Sequence, residues 1–169
     1  NRGTIGGDIA HGDPGNDHPA ITLALDATLV LQGPGGVREV AADAFFWGTY
    51  MTAMAEDEIL TQVRVPALAQ GTGWAYEKLK RKTGDWATAG CAVVMRKSGN
   101  TVSEVRIALT NVAPTALRAV GAGVRLRHAD EGESGGEKSA LRHHDRTARL
   151  APGFLPGRRN LSHRGAETP

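Results

Sequence analysis

The stretch Thr4-Ile5-Gly6-Gly7-Asp8 places two adjacent glycines between a hydroxyl and a carboxylate, inside a longer run from Asn1-Arg2-Gly3 to Pro14-Gly15-Asn16-Asp17. Glycine carries no Cβ and accepts φ > 0, so its backbone N–H groups can be aimed at phosphate oxygens at close range. The spacing therefore predicts a loop shaped around a phosphate-bearing ligand, against the plainer alternative that Gly-Gly is only a turn. Asp17 stands where a helix would begin, with Pro19 in its first turn and Ile21, Leu23 and Leu25 after it.

Other chemistry-bearing patterns are absent. There is no G-x-x-x-x-G-K-[ST], no G-x-S-x-G and no C-x-x-C. The single Cys91 excludes an internal disulfide and a four-thiolate iron–sulfur site, and its apolar surroundings predict a small buried hydrophobe. His143-His144-Asp145, with His128 and His163, reads as an accidental group in a basic tail and not as a metal site. His11 and His18 flank the glycine stretch and line it at most. The formal charge of +2 is too small to imply nucleic-acid binding by field alone.

The elements that must hold these residues follow from the pattern. Hydrophobic residues make up 40% of the 169 and charged residues 22%, ordinary for a globular chain, while 22 glycines make it rich in loops. No apolar run is long enough to span a bilayer, and residues from Asn1 onward show no basic-then-apolar pattern like a signal peptide. Ala27–Leu31 reads as a strand, Gly33–Gly36 as a turn and Val37–Val40 as its hairpin partner. Asp43–Tyr50 is short and aromatic, one helical turn at most. Glu58–Val65 alternates in the strand period, with Ile59, Val63 and Val65 on one face, and stops at Pro66. After a linker at 67–73, strands are expected at 74–80, 87–96 and 101–109, the last two joined by a Ser98-Gly99-Asn100 turn. Pro114–Val120 is expected to begin a helix. The expected fold class is α+β with antiparallel sheets, divided into units at 1–68 and 73–122. From Val124 onward only seven of 46 residues are Val, Leu or Phe, and six acidic residues face nine basic ones. That segment is expected to be a disordered or aberrant tail over 123–169, from a natural truncation or a shifted reading frame. Interleaved aromatics for base stacking are missing from it, which argues against nucleic acid as a partner.

The run from Asn1 to Asp17, Glu58-Ile59-Leu60, and Tyr76-Glu77-Lys78-Leu79-Lys80-Arg81-Lys82-Thr83-Gly84-Asp85-Trp86-Ala87 occur in this order. Together they resemble the medium, FAD-binding subunit of the molybdenum hydroxylases, most of all the aerobic carbon monoxide dehydrogenase type, over residues 1 to 121. The resemblance implies the C-terminal part of a PCMH-type FAD-binding domain followed by a small antiparallel-sheet domain. It implies FAD as cofactor, with molybdenum cofactor and iron–sulfur clusters on a large and a small partner subunit. It implies an oxidoreductase subunit that passes electrons to an acceptor, in the cytoplasm or peripherally at the inner membrane, and related xanthine- or aldehyde-type hydroxylases are the alternative.

Residue by residue, the resemblance implies that Thr4, Ile5, Gly6, Gly7 and Asp8 contact the cofactor pyrophosphate. It implies that Asp17 accepts hydrogen bonds from cofactor hydroxyls, where a plain helix cap is the competing role. Leu60, or Ile59 if the register slips by one, touches the cofactor or simply packs in a strand. Lys78 places a cation by the flavin or is one of several solvated cations. Trp86 shields the isoalloxazine ring or fills a core. No catalytic or metal-ligating residue is expected. The family's first flavin motif, a Gly-Gly-His-Ser-type loop, and its C-terminal helical bundle do not occur in this sequence. The chain is therefore expected to be a fragment that binds FAD weakly by itself, or a vestigial one that does not bind it.

Overall fold

The computed structural model describes residues 3–122. The tail at 123–169, with its histidines, lies outside them. The described chain is α+β with antiparallel sheets: α1 (Ile5–His11), α2 (Asp17–Ala24), β1 (Thr28–Gly33), β2 (Gly36–Ala41), α3 (Ala42–Phe45), β3 (Phe46–Gly48), β4 (Met51–Thr52), β5 (Ile59–Arg64), β6 (Thr72–Leu79), β7 (Ala89–Ser98), β8 (Thr101–Thr110) and β9 (Leu117–Arg118). These strands form a three-stranded sheet in the order β2-β1-β5, a short β3-β4 pair and a four-stranded sheet in the order β6-β7-β8-β9. No helix among the described residues is long and apolar enough to cross a membrane.

The three-stranded sheet packs its inner face under α1 and α3. Ile9, Leu29, Leu31 and Phe45 are fully covered there, with Val40, Leu60 and Val63 packed around them. The alternation over 58–65 predicts Ile59, Val63 and Val65 on one face, and here the structure differs. Ile59 is 69% exposed and Val65 48% exposed, while Leu60 and Val63 point inward. A bulge is the cause: Val30 pairs with Gln62 and Leu31 with Leu60, so Thr61 is the extra residue and the pleat changes phase across it.

The second sheet carries α2 on one face. Ala20, Leu23 and Ala24 of α2 pack on Ala92, Val94 and Ala108, with Tyr76 at the margin. Small residues at these crossing points let helix and sheet approach closely. At one edge Asp26 gathers Arg106 and Arg118, and Arg118 also donates to the Leu23 carbonyl, tying the end of α2 to β8 and β9. The β7–β8 hairpin turns at Gly99, φ 62°, as its sequence predicts. Within the stretch expected to begin a helix at 114–120, Leu117 pairs with Leu109 and Arg118 with Ala108 as an edge strand, and helical backbone starts only at Val120.

Candidate functional site

The glycine stretch is not a loop. Gly6 and Gly7 lie in the first turn of α1, and the Thr4 hydroxyl accepts the Gly7 N–H at 3.0 Å as its N-cap. Asp8 closes the turn by donating its N–H to the Thr4 carbonyl at 3.0 Å. Cap, first-turn carboxylate and inward Ile9 together outweigh the low helix propensity of two glycines. The helix ends at Gly12, φ 65° in the left-handed region, whose N–H reaches the Ile9 carbonyl.

The glycines still leave the backbone open. A Cβ at Gly6 would meet nothing within 4 Å, whereas one at Gly7 would stand 3.0 Å from the Thr4 hydroxyl. The N–H groups of Ile5 and Gly6 have no acceptor within the helix, as in any first turn. The surface above that turn is thus capped and open at Gly6, beside the exposed Ile5, with backbone donors directed outward.

Asp17 differs from expectation in a second way. Asn16 holds the N-cap position of α2 and makes no side-chain cap bond, and Asp17 is the first helical residue. Its carboxylate leaves the helix to accept from β6: the Tyr76 hydroxyl donates to Oδ1 at 2.7 Å and Lys78 Nζ to Oδ2 at 2.9 Å. Tyr76 and Lys78 are two apart on a strand and so share its face. Burial first, and then the hydrogen bond to Asp17, push the Tyr76 phenol well above its ordinary value. Lys78 is not one of a set of solvated cations, because its side chain is only 19% exposed.

A second brace joins the two helices. His18 Nδ1 lies 2.7 Å from Asp8 Oδ2, and the Asn16 amide donates to the Asp8 carbonyl at 2.9 Å. The turn between the helices is fixed from beneath by Thr110, whose hydroxyl donates to the Asn16 carbonyl at 2.5 Å. Asn111 donates its backbone N–H to the Pro14 carbonyl. Trp86 stands beside this turn, its Cβ 3.8 Å from where a Gly15 Cβ would be, and its side chain fills no core, being 63% exposed. Leu60 packs against the cluster that contains Ile9.

The structure therefore brings Thr4–Asp8, Asp17 and Lys78 into one connected network through α1, α2 and β6, with Trp86 at its turn and Leu60 as underpinning. Tyr76 and Asn16 join it as residues with no role expected from the sequence, and His18, expected at most to line the glycine stretch, braces it through Asp8. The shared strand face was the available signal for Tyr76; nothing in the sequence pairs His18 with Asp8. Burial raises the Cys91 thiol, which is half-buried where a fully buried one was expected and stands opposite Glu77, in an open hollow also lined by Gly90 and Leu109. No group of three or more metal-ligating side chains occurs among the described residues.

Known proteins resemble this chain in sequence and fold. Residues 1–68 match the family described as FAD binding domain in molybdopterin dehydrogenase, and residues 74–130 match the CO dehydrogenase flavoprotein C-terminal domain. A carbon monoxide dehydrogenase medium chain from Hydrogenophaga pseudoflava is 75% identical over 126 residues, 75% of this chain and 44% of that protein. One from Afipia carboxidovorans is 53% identical over 72% of this chain and 42% of that protein. The solved Hydrogenophaga pseudoflava carbon monoxide dehydrogenase lacking the Mo-pyranopterin moiety superposes with a TM-score of 0.73 at 74% identity, over 74% of this chain and 44% of the other. The chain spans less than half the length of these relatives.

Proposed function

Residues 1–68 belong to the FAD-binding domains of the molybdopterin dehydrogenases and residues 74–130 to the flavoprotein C-terminal domains of CO dehydrogenases, and from that premise we propose that the chain is the FAD-holding part of a carbon monoxide dehydrogenase-type medium subunit. The unit boundaries at 68 and 73 are part of this reading. FAD, when bound, supplies redox chemistry that no side chain carries, taking electrons that arrive through iron–sulfur clusters and giving them to an acceptor. The proposed partners are a molybdenum-binding large subunit and an iron–sulfur small subunit, in the cytoplasm or at the inner face of the membrane.

The chain's own residues bind and orient. Thr4 fixes the first turn of α1, and the outward N–H groups of Ile5 and Gly6 are suited to an anionic pyrophosphate, with Gly7 keeping the turn narrow. Asp8, held by His18, sets the angle between α1 and α2. The Asp17 carboxylate retains lone pairs beyond the two it gives to Tyr76 and Lys78, so it can accept from ligand hydroxyls as well. Lys78 supplies a cation close to that carboxylate. Trp86 offers an exposed aromatic face, and Leu60 supports α1 from the core side.

The observation that carries the reading is the open space at Gly6 in a capped helical turn. It also supplies the test. Alanine at Gly6 touches no protein atom and suits a helix, so Gly6→Ala is expected to fold as well as the parent chain. A ligand lying against that backbone would be pushed away by the added methyl group, and further by Gly6→Val. Flavin fluorescence titration with FAD is expected to show quenching in the parent chain and progressive loss through the two variants. Unchanged FAD affinity in Gly6→Val would overturn the placement.

A further inference from the structure

We propose that Tyr76 is a positioning residue that aims the Asp17 carboxylate, and that Gly90 is the space its ring needs. This rests on the FAD reading above and assigns the orientation of Asp17 to a strand of the second sheet. Asp17 leads α2, in the segment that matches the FAD-binding family, while Tyr76 and Gly90 lie in the segment that matches the C-terminal family. The pairing of Tyr76 with Ala92 and of Lys78 with Gly90 sets the height of both side chains on the sheet. The Tyr76 hydroxyl meets Asp17 Oδ1 at 2.7 Å, and a Cβ at Gly90 would stand 2.7 Å from that same hydroxyl oxygen.

A carboxylate at the first position of a helix has two easy choices, to turn back on its own N–H groups or to point away. The two donors from β6 take one oxygen each and so fix both its direction and its plane. Lys78 supplies charge, but an ammonium on a flexible stem defines a direction poorly. The phenol is rigid, and its hydroxyl is the donor that defines the plane. A ligand hydroxyl arriving at Asp17 then meets a pre-aimed acceptor, without the entropy cost of ordering it.

The test is a double-mutant cycle on the full chain, with FAD affinity measured by flavin fluorescence in the parent, Tyr76→Phe, Asp17→Ala and the double variant. Tyr76→Phe keeps the ring and removes one hydroxyl, so the fold is preserved. It is expected to weaken FAD binding about three- to tenfold, the size of one hydrogen bond. In the Asp17→Ala background the same change is expected to do nothing further, because Tyr76 acts only through Asp17. Equal losses in both backgrounds, or none in the first, would overturn the proposal.

A second readout needs no cofactor. In Tyr50→Phe, Tyr76 is the remaining tyrosine, and its ionisation can be followed by ultraviolet absorbance on raising the pH. Asp17→Ala is expected to lower the pH at which that phenol ionises, and no change would show that the contact is not made. If the ionisation shifts but the parent chain takes up no FAD, it is the FAD reading that has failed, and the cofactor role of Tyr76 falls with it.

Discussion

Gly90→Ala tests how tightly the sheet beneath the site is packed. The added methyl group would meet the Tyr76 hydroxyl at 2.7 Å and the Thr110 Cγ2 at 2.8 Å, both inside the distance that a Cβ tolerates. Neither neighbour can simply turn away. The Tyr76 hydroxyl is bonded to Asp17, and Thr110, fully buried, holds the Asn16 and Pro14 carbonyls. Overpacking of this kind costs about 1–3 kcal/mol. Restricting the unfolded chain by replacing glycine returns roughly 0.4–1 kcal/mol. Taking the middle of each range, the net expectation is a loss of about 1.3 kcal/mol. For a chain of 169 residues that lowers the midpoint of thermal unfolding by roughly 3–5 °C. Circular dichroism melts of parent, Gly90→Ala and Gly6→Ala supply the assay, with Gly6→Ala as the control because nothing lies within 4 Å of its added carbon. A Gly90→Ala chain that melts at or above the parent temperature would refute the close packing of Tyr76 and Thr110 around Gly90.

Three further outcomes follow from single contacts. Thr4→Ala removes the cap on α1 and is expected to cost about 0.5–2 kcal/mol, with Thr4→Ser recovering most of it, as read by urea unfolding. Ile9→Ala empties a fully buried position between α1 and the three-stranded sheet and is expected to cost about 2–5 kcal/mol, the largest loss among these substitutions. Glu58 accepts from Arg38 Nε at 2.6 Å and from a second Arg38 nitrogen at 2.7 Å. The Arg38 guanidinium, and then the Ala55 N–H, hold the Glu58 carboxyl down to about 2 from 4.5. A depressed carboxyl stabilises the fold above its unfolded value, so this contribution is complete above about pH 4.5 and fades as the pH falls towards 2. Glu58→Gln is expected to flatten acid unfolding in that window, and an unchanged acid profile would show that the pair contributes nothing.

Much of the chain was legible because its cues are local. The β1–β2 hairpin and the β7–β8 hairpin announce themselves through glycine turns between apolar runs, and Pro19 in a first turn places α2. The misread elements are those where non-local pairing overrode local preference. Gly6-Gly7 reads as a loop because glycine disfavours helices, but Thr4 and Asp8 stabilise the first turn and Ile9 anchors the helix in a core that other segments build. Leu60 turns inward because a bulge opposite Val30 shifts the pleat, and no residue within β5 signals it. Residues 117–118 become a strand because β8 offers a free edge to pair with.

The sequence by itself determined which residue types are available for the site: a hydroxyl, two glycines and a carboxylate in one turn, a second carboxylate after a turn, and a tyrosine and a lysine two apart on a strand. Those are facts of composition and spacing, carried by side-chain chemistry and the period of a strand. Only the tertiary structure decided that Asp17 accepts from Tyr76 and Lys78 instead of capping its own helix, and that His18 meets Asp8. The physical reason is that these bonds join residues 61, 59 and 10 positions apart. Their geometry is set by how α2 beds on small residues of the second sheet, where Gly90 gives way to the tyrosine ring.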